Sequence, residues 1–150
     1  MPEAVTGPGA AATAAPAPLL ARLRGPLLTG AAAAAGTALL VLRTPHEAGT
    51  YGFCPLLLFA GVACPLCGGL RGTYELARLD LAGAWAMNPL WVLLAPLVVA
   101  LWAVWTYRRA RGLPGPYLPR WTAWATLATL VAFGVLRNLP PLVPYLTPWL

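Results

Sequence analysis

Serine, lysine, glutamine and isoleucine are absent from the 150 residues, and charged residues make up only 9% of them. Without serine or lysine the chain has neither a serine triad nor a lysine Schiff base. No GxxxxGK[ST] phosphate loop, HExxH zinc helix or acidic calcium loop can be written on it. Groups that titrate near neutrality are equally scarce: His46, Glu3, Glu47, Glu75 and Asp80, besides the cysteines. Most enzyme classes are thereby excluded, and a non-enzyme is expected.

A soluble domain carries about 25% charged residues, because a globule of this size must cover itself with polar groups. Here 59% of residues are hydrophobic and the mean hydropathy is +0.70, so the sequence reads as a membrane protein with the lipid bilayer as its first partner. The net charge of +6 comes from arginines set beside apolar runs and not from a basic groove, which argues against a nucleic-acid partner. Missing Lys and Ile beside abundant Ala, Gly, Pro and Arg point to a GC-rich genome.

Residues Met1 to Pro18 are rich in Pro, Ala and Gly, and are expected to form, with the stretch up to Arg24, a disordered cytoplasmic tail. A first span is expected over 25–43, built on the uncharged run Gly25 to Leu42 that Arg22 and Arg24 precede. A cleaved signal peptide competes for this run, but its basic region would lie deep in the chain and no small-residue cleavage site precedes Arg43. The second span is expected over 89–107, opened by Asn88 as cap and Pro89 at the first helical position and kinked at Pro96. A third is expected over 121–138, where Arg137 is close enough to the end to snorkel. Residues 25–150 then form a single membrane domain.

Arg108, Arg109, Arg111 and Arg120 share one loop without an acid, and Arg22 and Arg24 flank the first span. Both regions are expected to be cytoplasmic, which makes the chain a multi-pass protein of the cytoplasmic membrane with its N-terminus inside and residues 44–88 outside. Tyr51 to Leu70 is uncharged but interrupted by Gly and Pro, so a membrane-dipping hairpin is expected there. Beyond it Leu70, Tyr74, Ala77, Leu81 and Trp85 recur at helical spacing, with Arg71, Glu75 and Arg78 on the other side, which predicts an amphipathic helix at the outer interface. Asp80 is a candidate cap for a short helix ending at Asn88.

Cys54, Cys64 and Cys67 fall within this one loop. Cys64 and Cys67 form a CxxC directly ahead of a helix start, where backbone N–H groups favour a thiolate on Cys67. Three chemistries fit. A cysteine pair can staple the hairpin in an oxidising compartment; Cys64 and Cys67 can act as a thiol-disulfide carrier; or Cys54, Cys64 and Cys67, completed by His46, can ligate zinc or another soft metal. Arg71, four residues past Cys67, is a candidate partner for a thiolate or an anion, and its plain alternative is an ion pair with Glu75.

The run Cys64-Pro65-Leu66-Cys67-Gly68-Gly69-Leu70-Arg71, followed by Asp80-Leu81-Ala82-Gly83-Ala84 and Asn88-Pro89-Leu90, resembles the bacterial membrane family called domain of unknown function 2752, whose signature is Cys-Pro-x-Cys-Gly-x-x-Arg. The similarity extends upstream to Cys54-Pro55 and downstream to Arg137-Asn138-Leu139-Pro140, an ending like that of actinobacterial members, so that it covers about residues 45 to 145. Two positions depart from the pattern: Tyr74 stands where many members have His, and Leu79 where they have Gly before the Asp. The resemblance implies a small multi-pass membrane protein and brings no established activity. The expectation is therefore an all-α integral membrane protein with three spans. Its cysteine-stabilised outer hairpin is presented to another membrane protein or to a second copy of the chain. Transport is disfavoured because no ionisable residue lies mid-span.

Overall fold

The computed structural model describes residues 18–47, 51 and 54–148, and every regular element among them is a helix. Residues 1–17, most of the expected N-terminal tail, lie outside the described residues.

Helix α1 (Leu19–Leu42) starts well before the uncharged run, so that Arg22 and Arg24 ride on its first turns, inside the stretch assigned to the tail. Helix α5 (Pro89–Ala110) opens as the sequence indicates: the Asn88 side chain accepts from Trp91 N–H at 3.0 Å, Pro89 occupies the first turn, and Arg108 and Arg109 close the last. Among the described residues, α1 and α5 are the two helices long and apolar enough to cross a membrane. They pack against each other through small residues. Trp102 Nε1 donates to the Pro26 carbonyl at 3.0 Å, and the same indole lies so close to Gly30 that a side-chain carbon there would stand 2.7 Å from it. Helix α6 (Arg120–Leu136) is apolar but shorter, 17 residues, and ends at Leu136 instead of running on to Asn138.

Between α1 and α5 the described residues form three short helices. α2 (Pro55–Ala60) lies within the expected hairpin and ends on Gly61; α3 (Gly69–Ala77) and α4 (Leu81–Met87) pack tightly on each other. The amphipathic stripe is thus split over two helices, because the chain turns at Leu79. Asp80 caps α4, its carboxylate accepting from Gly83 N–H at 2.8 Å. A last turn of helix, α7 (Val143–Leu146), was not anticipated in the proline-rich end.

Burial follows an unusual pattern. Among the described residues, fully buried Ala63, Ala84, Asn88, Arg137 and Thr147 are small or polar and belong to the cysteine loop and the segments packed on it, while Pro26 is fully buried on α1; Leu93, Leu97, Val98, Val99, Val131 and Val135 on α5 and α6 are exposed. Water would not leave so continuous an apolar surface open on a monomer.

Candidate metal centre

α2 returns the chain so that Cys54, at its start, lies beside the CxxC turn. The sulfurs of Cys54, Cys64 and Cys67 all lie within 4.8 Å of one another, and the Cys64 and Cys67 sulfurs are 2.9 Å apart. The three are unbridged; Cys54 and Cys64 are half-buried and Cys67 is buried.

What shapes this turn is a set of donors from distant parts of the chain. The Asn138 side chain pairs with the peptide of Ala63, accepting its N–H and donating to its carbonyl, both at 2.8 Å. Arg137 Nη1 donates to the carbonyls of Cys64 at 2.8 Å and Cys67 at 3.0 Å, and Nη2 to that of Leu146 at 3.2 Å. The Asn88 amide donates to the carbonyls of Pro65 at 3.0 Å and Cys67 at 3.1 Å while its oxygen caps α5. Gly69 N–H takes the Leu66 carbonyl at 2.9 Å, so every carbonyl from Ala63 to Cys67 has a donor. A buried carbonyl without a partner costs about 1–3 kcal/mol, which is why the turn needs these side chains. Gly68, at φ +80°, then supplies the left-handed residue that lets α3 begin directly after Cys67.

Arg137 is a correction to the sequence reading. Instead of reaching outward to water it is wholly buried, turned back under the cysteine turn and stacked on Phe133, with its charge near the Cys64 and Cys67 sulfurs. The carbonyls of Cys64, Cys67 and Leu146 give the buried guanidinium the acceptors that water would supply at the end of a span.

The thiolate also falls elsewhere than expected. Burial pushes the Cys67 thiol up to about 12, reinforced by the neighbouring sulfurs of Cys64 and Cys54, for which Cys67 keeps its proton. Burial opposes ionisation of Cys54 as well, but hydrogen bonds from Leu57 and Leu56 N–H at the start of α2, and from the Cys67 and Cys64 thiols, outweigh it and bring Cys54 down to about 7. The helix start that favours a thiolate belongs to α2, not to α3, whose Gly69 N–H is occupied by Leu66.

His46 is placed apart from the sulfurs, its Nε2 2.7 Å from Glu75 Oε1 and its ring edge-on to Tyr74. Among the described residues the grouped ligand atoms are the three sulfurs. Arg71 directs its Nε to the Pro45 carbonyl at 3.2 Å, tying α3 to the end of α1. Sequence reasoning missed Arg137 and Asn138 as parts of the site; the signal present was the Arg137-Asn138-Leu139-Pro140 ending.

Chemically, three converging sulfurs suit a thiophilic ion such as zinc or copper(I), and a close pair with a third sulfur alongside also suits disulfide exchange. Neither the curated proteins nor the solved structures contain a match to this chain. One family model does match, over residues 54–102, a narrower stretch than the resemblance covers; it begins at Cys54 and takes in the CxxC turn, Asn88 and most of α5. That segment, the one that builds the cysteine cluster, matches the model of the family described as protein of unknown function (DUF2752).

Proposed function

We propose that this is a three-span protein of the cytoplasmic membrane that holds a thiophilic metal ion on Cys54, Cys64 and Cys67 at its outer face, the ion serving as the structural centre of a module that contacts another membrane component. The carrying observation is the convergence of all three sulfurs within 4.8 Å. A staple requires two cysteines, whereas three held together across α2 form a ligand set. Zinc takes four ligands, and with His46 engaged by Glu75, a water or a partner's group completes the sphere.

The arginines support the topology. Arg22 Nη1 would stand 2.7 Å from a side-chain carbon at Gly112, so the basic start of α1 and the basic end of α5 share one end of the molecule, as cytoplasmic flanks do. The cysteine cluster belongs to the connection at the other end. α6 rises roughly 26 Å, the lower limit for a span, with Arg120 and Arg137 at its two ends.

The test is to purify the full chain in detergent without chelator or reductant, measure bound zinc, and alkylate before and after reduction. The proposal expects zinc near one ion per chain, released in step with alkylation of three thiols, and Cys54→Ser or Cys64→Ser to lose it. A zinc-free protein whose thiols all alkylate at once overturns it.

The 2.9 Å approach of Cys64 and Cys67 favours a second reading, thiol-disulfide exchange. One of the pair, as thiolate, attacks a partner's disulfide, forming a mixed disulfide and expelling the partner's first thiolate. The other then displaces the second thiolate, leaving this chain oxidised and the partner reduced by two electrons. Its mark in the same experiment is one thiol alkylated before reduction and three after.

A further inference from the structure

Among the described residues α6 packs little on the other helices. Along Trp121 to Leu130 it lines an open groove of about 270 Å³ whose other wall includes Leu94 and Leu97 of α5. Its firm attachments are at the opposite end; apart from the contacts of Arg137 with Leu146 and Thr147, they go to the cysteine turn. A side-chain carbon at Gly134 would lie 3.4 Å from Pro65, Asn138 grips both sides of the Ala63 peptide, and Arg137 holds the Cys64 and Cys67 carbonyls. The residues that present two of the sulfurs are therefore the residues on which α6 is seated.

Metal coordination changes the geometry of those residues. A tetrahedral ion with metal–sulfur bonds of about 2.3 Å sets its sulfurs about 3.8 Å apart. Cys64 and Cys67, at 2.9 Å, must part by about 0.9 Å to hold it. Cys67 is buried, which leaves the turn itself to take up part of that separation, and its carbonyls are bonded to Arg137. Packed and hydrogen-bonded contacts pass such a shift on to their partners instead of absorbing it.

Resting on the metal reading, we infer that Arg137 and Asn138 couple the seating of α6 to occupancy of the Cys54, Cys64 and Cys67 site, so that a bound ion and a docked α6 favour each other. The coupling must be reciprocal: whatever the ion does for α6, α6 does for the ion's affinity.

Two measurements on the full chain in lipid nanodiscs test this, with Cd²⁺ as the probe. Hydrogen exchange of the wild type with and without Cd²⁺ is expected to show slower exchange at the C-terminal end of α6, residues 130–139, as well as in the turn at 63–67. Cd²⁺ affinity, read from thiolate-to-cadmium absorption, is expected to fall about 10-fold in Asn138→Leu, within the 5–150-fold range of typical coupling, and to stay unchanged in Trp121→Ala at the far end of the helix. Should Asn138→Leu fail to fold, Gly134→Val takes its place: a Cβ there already touches Pro65 at 3.4 Å, so the two further methyl groups press on it. If Cd²⁺ binds the wild type but either the protection of 130–139 or the affinity loss is missing, the coupling is refuted and the metal site stands. If Cd²⁺ does not bind the wild type, the metal reading itself fails and the coupling with it.

Discussion

Asn138 and Ala63 are joined as two residues of adjacent strands would be: one carboxamide satisfies both the N–H and the C=O of the Ala63 peptide at 2.8 Å, across 75 residues of sequence. The match depends on one donor and one acceptor on the same planar group. Asn138→Asp keeps the acceptor, removes the donor, and turns a charged oxygen towards the Ala63 carbonyl. It is expected to destabilise the protein by about 1–3 kcal/mol, the cost of a buried polar group left unpaired. Chemical unfolding in detergent, followed by tryptophan fluorescence, measures this, and an unchanged midpoint would remove the clamp from the account of the turn.

Leu79 stands at a backbone position that suits glycine. It has φ +62°, the left-handed position after α3, with Leu79 N–H bonded to Leu76 O at 3.0 Å and Asp80 N–H to Glu75 O at 2.9 Å, a Schellman ending. Leucine in that conformation costs about 1–2 kcal/mol, and at 86% exposure it buries almost nothing in return. After the larger entropy that glycine loses on folding, Leu79→Gly is expected to stabilise by about 0.5–1 kcal/mol. A loss of stability in the same unfolding assay would show that Leu79 is held by contacts outside the helix end.

The α1–α5 contact yields an opposite prediction. Gly30 faces the six-membered ring of Trp102, which is fixed by its indole bond to the Pro26 carbonyl, so the ring cannot move aside without breaking that bond. Gly30→Val is expected to cost about 1–3 kcal/mol, as overpacked interiors do. Gly36, with open space where a side chain would go, serves as the control, and Gly36→Ala is expected to leave the unfolding midpoint unchanged or raise it.

These elements differ in how far the sequence disclosed them. Asp80 and Asn88 were legible as caps because a cap is a local device, a short polar side chain ahead of a helix, needing no knowledge of what packs nearby. α5 was legible because Leu, Val and Trp fill its whole length. Arg137 was misread for a physical reason: an arginine at the end of an apolar run reaches water at little cost, and only the assembled carbonyls of Cys64, Cys67 and Leu146 make the inward conformation better. The clustering of the cysteines was plain in the chain, but their ranking as acids was not. That ranking depends on the return of Cys54 and on α2, whose N–H groups serve Cys54 while Cys67 is buried.

That ranking sets the order in which the thiols react. In the metal-free protein at pH near 8, Cys54, brought down to about 7, is mostly thiolate and half-exposed, whereas Cys67, pushed up to about 12, is a buried thiol. Thiolates are the species that alkylate, so Cys54 is expected to react first and Cys67 last, as read by peptide mass after a short pulse of iodoacetamide. Stability follows from the same shifts with opposite signs. Cys54's folded value lies below its ordinary 9.0, so the folded state binds fewer protons there, and the stabilisation is complete above pH 9 and lost as pH falls through about 7. Cys67's folded value lies above 9.0, so its contribution is complete below pH 9 and lost as pH rises towards 12. The two together place the maximum of cysteine-linked stability near pH 9. Cys54→Ser is expected to abolish the rise between pH 7 and 9 while leaving the fall above 9. Should Cys67 alkylate ahead of Cys54, the thiolate belongs to the start of α3 after all, and α2 does not activate Cys54.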